Sequence, residues 1–126
     1  MITRYILRWT YGDVPLHSWY IRTISPDGYF GEVTIRNSPD NRIITVKGDI
    51  KQDDYRKIDE TAKFLESFHQ HEINGEVRGV LGSGTPSDCK IVYRYYDRKE
   101  NDEAALRFIE IVEIMRPYLE SQYLST

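Results

Sequence analysis

One cysteine, three histidines and two methionines are all that this 126-residue chain holds of the softer ligand chemistries. With Cys89 alone, no intramolecular disulfide can form, which favours a reducing compartment. Long apolar runs are missing as well. No stretch approaches the roughly 20 apolar residues that a membrane helix needs. The opening MITRYILRWTYG lacks the apolar core of a secretory leader, so the expectation is a soluble cytoplasmic protein. No repeat, linker or low-complexity segment interrupts the chain, and one domain over residues 1–126 is expected. Neither sign of charge is scarce. The formal net charge is −3, but residues 1–52 carry +2 and residues 53–126 carry −5. That asymmetry offers a like chain or a basic partner something to meet.

What the sequence does have is period. From Ile2 to Tyr11, Tyr5, Leu7 and Trp9 share one face while Arg4, Ile6 and Arg8 share the other. Such alternation predicts a strand. His17–Ile24, Tyr29–Arg36 and Arg42–Asp49 repeat it, joined by turn clusters at Ser25-Pro26-Asp27-Gly28 and Asn37–Asn41. Four consecutive strands with short turns read as an antiparallel meander. Asp53 and Asp54 then stand where carboxylates favour a helix start. Tyr55, Ile58, Ala62, Leu65 and His69 fall on one arc of an amphipathic helix, with Phe64 off it. Val77–Leu81 and Lys90–Tyr96 read as strands, with Gly82–Asp88 as a loop between them. Asn101-Asp102 predicts the cap of a last helix whose core stripe is Ala104, Ala105, Phe108, Val112, Met115 and Leu119. Pro117 is expected to kink or restart it. The order ββββ-α-ββ-α predicts an α+β fold: an antiparallel sheet of five to six strands with two helices on one face.

No motif fixes a chemistry, so no catalytic residue, metal or cofactor is assigned. Gly82-Ser83-Gly84-Thr85-Pro86-Ser87-Asp88 has the composition of an anion loop, but Pro86 removes a donor and no helix follows. His69 and His71 are two apart, a spacing that shares a face only in extended chain, and Glu72 and Cys89 complete a ligand set only on paper. Asp88 beside Cys89 disfavours a thiolate nucleophile.

Surfaces offer more. A protein-binding module is the leading expectation, either a dimeric scaffold or an inhibitor of the immunity type. Its candidate contacts are Trp19, Tyr20 and Arg22 on the sheet, and Leu106, Glu110, Glu113 and Ile114 on the last helix, flanked by Ile111 and Tyr118. Carboxylates there, with Asp97 and Glu100, would steer the chain toward a basic target. A second expectation is a small-ligand protein or enzyme with a pocket lined by Trp9, His69, Tyr93 and Tyr95. A third is single-stranded nucleic acid on the aromatic, arginine-bearing sheet, which gains if Arg4, Arg8, Arg22 and Arg36 form one exposed stripe.

Overall fold

A computed structural model describes residues 3–10, 17–36, 41–68, 77–96 and 103–123. Strands β1 (Tyr5–Thr10), β2 (His17–Ser25), β3 (Gly28–Arg36) and β4 (Asn41–Gly48) precede helix α1 (Gln52–Ser67). Strands β5 (Val77–Thr85) and β6 (Asp88–Tyr96) then precede helix α2 (Glu103–Tyr123). The six strands form one antiparallel sheet in the order β4-β3-β2-β1-β5-β6. The meander therefore grows from β1 toward one edge, and the β5–β6 hairpin is added on the other side of β1.

Alternation decides which face is buried. Leu7 stands opposite Ile21 and Leu81, Trp9 opposite Trp19, and Val33 opposite Ile44. All point to the helix side. Ile58, Ala62 and Leu65 of α1 and Ala104, Phe108, Ile111, Val112, Met115 and Leu119 of α2 close over them in one core. Both helices thus lie on the same face, as the sequence order predicts. Phe108 rests on Gly79 of β5. A Cβ there would come within 2.6 Å of the Phe108 ring and 2.9 Å of Trp9, so this crossing needs a glycine.

Three local expectations change. Strand β5 runs on to Thr85, so Gly82, Ser83 and Gly84 are ladder residues and the tight turn is Pro86-Ser87. The Gly84 N–H donates to the Arg4 carbonyl at 2.8 Å, and Thr85 Oγ1 accepts from the Asp88 N–H at 3.1 Å. These donors serve the hairpin rather than an anion. Helix α2 passes through Pro117 without a break, because packing of Met115 and Leu119 on either side of it outweighs one lost donor. Ile111 is fully buried, on the core stripe rather than its flank. The expected Asn101-Asp102 cap and the Asn37–Asp40 turn residues lie outside the described residues. The Ser25-Pro26-Asp27-Gly28 turn forms as expected, with Gly28 at φ 144° and the Asp27 N–H donating to Ser25 Oγ at 3.2 Å.

Tyrosines fasten the two layers. Tyr5 donates to Asp59 of α1 at 2.5 Å, and Tyr55 of α1 donates to the Thr3 carbonyl. Tyr118 of α2 donates to Asp54 at 2.5 Å and accepts from the Lys51 N–H at 3.1 Å. At the far edge Gln122 donates to Tyr29 Oη at 2.6 Å. The same amide also donates to the Lys47 carbonyl at 2.8 Å and accepts from the Lys47 N–H at 3.3 Å. Burial, then the Asp59 hydrogen bond, pushes the Tyr5 hydroxyl well above the usual phenol range. Burial also raises Tyr29, Tyr55 and Tyr118.

Candidate docking surfaces

Among the described residues, no element covers the face of the sheet away from the helices. Alternation places Ile6 and Arg8 of β1 there with Tyr20 of β2; Arg22 lies beside Tyr20, and Arg4 directly precedes β1. Tyr20 lies directly across from Arg8, whose guanidinium sits 4.8 Å from the ring centroid; the Arg22 guanidinium is 5.7 Å from the same centroid. Cation–π attraction of this kind fixes long side chains that would otherwise sample many rotamers. Arg22 also meets Glu32 at 3.4 Å, a loose and exposed pair. Among the described residues Arg4 and Arg8 make no ion pair with a carboxylate.

Two depressions lie on this face. A cup of about 200 Å³ is lined by Ile6, Val80, Gly82, Pro86, Cys89 and Ile91, with Arg8 and Tyr20 at its side. A broader hollow of about 770 Å³ takes in Arg4, Thr23, Asp27, Phe30 and Lys47. Phe30 and Ile91 are 42% and 43% exposed, large apolar groups on a surface no helix shields.

A second surface is the groove between the helices on the opposite side of the molecule. It has about 680 Å³ and is lined by Lys57, Glu60 and Thr61 of α1 and by Leu106, Ile109, Glu110, Glu113 and Ile114 of α2. Leu106 is 53% exposed. Its carboxylates are largely answered from within: Arg107 meets Glu110 at 3.3 Å, and Arg116 meets Glu113 and Glu120, each at 3.2 Å.

The structure therefore divides the expected contact residues. Leu106, Glu110, Glu113 and Ile114 come together in one groove, and Tyr20 and Arg22 come together on the open face. Trp19 does not belong with them. It is 0% exposed, on the helix side of β2 opposite Trp9 and Val33, and cannot meet a partner as an exposed ring. Three rings of the expected aromatic pocket pack around Phe108. Phe108 packs against Trp9, Tyr93 and Tyr95 with centroids 5.5, 5.7 and 5.5 Å apart, and Trp9 lies 5.0 Å from Tyr95. His69, His71, Glu72, Asp97 and Glu100 lie outside the described residues, as does the His17 side chain. The described residues hold no group of three or more His, Cys, Asp or Glu side chains able to bind a metal, and none of their helices is long and apolar enough to cross a membrane.

The cup was hidden from sequence reading, because it needs register. Ile6 meets Gly82, and Gly82 meets Ile91, across three strands. The one legible sign was Ile6 itself, an apolar residue between two arginines on the face opposite Tyr5, Leu7 and Trp9.

No family model, curated protein or solved structure matches the chain.

Proposed function

We propose that this chain is a small non-enzymatic protein-binding module of the inhibitor or immunity type, docking through the open face of its sheet. The observation that carries the reading is Tyr20 held with the Arg8 and Arg22 guanidiniums beside the Ile6–Ile91 cup on an uncovered surface. Tyrosine, arginine and an apolar recess are the residue types from which binding hot spots are built. The helix groove is the weaker site, because its Glu110 and Glu113 already have arginine partners and so exert less pull on a basic target. A homodimeric scaffold through the sheet is also disfavoured. A two-fold contact sets this surface against a copy of itself, so a face bearing Arg4, Arg8 and Lys47 would meet another of the same sign. The exposed thiol of Cys89 suits a reducing, cytoplasmic setting.

A photoreactive residue in place of Ile91 tests the reading in extract of the native host. Crosslinking to a protein, abolished by Arg8→Glu, is expected. Crosslinks formed equally well from Glu60 on the helix side would sink it.

Single-stranded nucleic acid is the second reading, favoured by Arg4, Arg8 and Arg22 on one face with exposed Phe30. It is weaker because the Tyr20 ring, the platform on which a base would stack, already carries guanidiniums. Crosslinks to nucleic acid in place of protein would reverse the order of the two.

A further inference from the structure

We infer that the partner of the open face presents an extended acidic segment with one apolar anchor, in the pattern acid-x-apolar-x-acid. The inference rests on the protein-docking reading above and names the chemistry of its partner. Ile6 and Arg8 of β1 and Arg4, which directly precedes that strand, stand two residues apart each time. At about 3.3 Å per residue, the Cα atoms of the two arginines are roughly 13 Å apart, with Ile6 between them and Arg8 itself at the cup. An extended partner chain has the same period. Its residue i+2 enters the cup over Ile6, Val80 and Ile91 while carboxylates at i and i+4 reach Arg8 and Arg4.

Each part of that match has a physical reason. The cup's floor is apolar: Ile6 is 8% exposed, and Gly82 contributes no side chain, so an anchor there displaces water from hydrocarbon. A guanidinium takes a carboxylate through two parallel hydrogen bonds, and Arg8 is already oriented by the ring of Tyr20. Past Arg4 stand Lys47 and Phe30, with Asp27 in the same hollow. Phosphodiester has no use for the apolar recess. A second copy of the chain brings like charge through its sheet.

Cys89 lines the cup and is the sole cysteine of the chain, so its reaction with a thiol reagent reports occupancy without any introduced label. Three probes are compared at matched ionic strength: a Glu-Ser-Phe-Ser-Glu peptide, its Lys-Ser-Phe-Ser-Lys counterpart and a short oligothymidylate. The acidic peptide is expected to slow the reaction of Cys89 and to shift the amides of Ile6, Arg8 and Ile91. Added salt should weaken it. Arg8→Glu should cut its affinity about tenfold or more, and Arg56→Glu, the same charge reversal on the exposed side of α1, should leave it unchanged. Equal or better protection by the lysine peptide overturns the acidic partner while leaving protein docking intact. Stronger protection by oligothymidylate overturns both. Protection that survives Arg8→Glu overturns the assigned geometry.

Discussion

The two faces of this sheet are built from the same residue types and use them oppositely. On the covered face Trp9, Tyr93 and Tyr95 pack against Phe108, Trp19 is buried opposite Trp9, and Tyr5 and Tyr29 spend their hydroxyls on hydrogen bonds to the helices. On the open face Tyr20 and Phe30 stand among Arg4, Arg8, Arg22 and Lys47. Charge separates the same way. Helix α1 has five carboxylates and three cations, and α2 four and two, so the helix layer carries a net −4. An aromatic residue is thus no marker of function in this chain. Its neighbours in the next strand decide whether it is mortar or surface.

That contrast can be broken most forcefully from the covered side. Phe108→Ala removes the ring that fills the crossing over Gly79, and should cost about 3–5 kcal/mol in urea denaturation. A cost under about 1 kcal/mol would mean the ring cluster is loosely held. Tyr5→Phe comes next. It leaves Asp59 with Lys63 alone at 3.0 Å and should cost about 1–2 kcal/mol.

The tyrosines also set a pH response. Their folded-state pKa values are raised, so the native state holds these protons more tightly than the unfolded chain. Their stabilisation is fully present below the unfolded phenol value of about 10 and falls as pH climbs past it. Denaturation midpoints should therefore drop on the alkaline side, and Tyr5→Phe should flatten that drop. An unchanged slope in the variant would assign the loss to other groups.

Smaller effects sharpen the open face. Tyr20→Ala should change stability by no more than about 1 kcal/mol while releasing both guanidiniums and weakening docking. If it unfolds the chain instead, this face is structural and the contrast fails. Smallest of all, the Lys90–Glu66 pair, 2.8 Å apart and exposed, should show a coupling near or below about 0.5 kcal/mol in a double-mutant cycle.

Much of the architecture was legible. The alternation of Tyr5, Leu7 and Trp9 and the arc of Ile58, Ala62 and Leu65 each mark a buried side, and element order puts both helices over one face. Period alone misjudged Gly82–Thr85, because glycine and serine mark loops in isolation yet pair here with β1 and β6. It also offered Trp19 and Tyr20 together as contacts. Neighbours in a strand face opposite ways, and which side the helices roof depends on packing between residues far apart in the chain. The cup depends on three strands in register and on the shift between Leu81 and Gly82, which no local pattern encodes.

The Gln122 amide grips both backbone groups of Lys47 as a further strand would. It therefore stoppers the outer margin of β4 where a stray polypeptide would otherwise zip on. The clasp spans 75 positions of sequence, so a growing chain acquires this guard late, when nearly all of α2 has been made. Until then the bare meander is at its most vulnerable to clumping, and shielding it during synthesis matters more than shielding the finished fold.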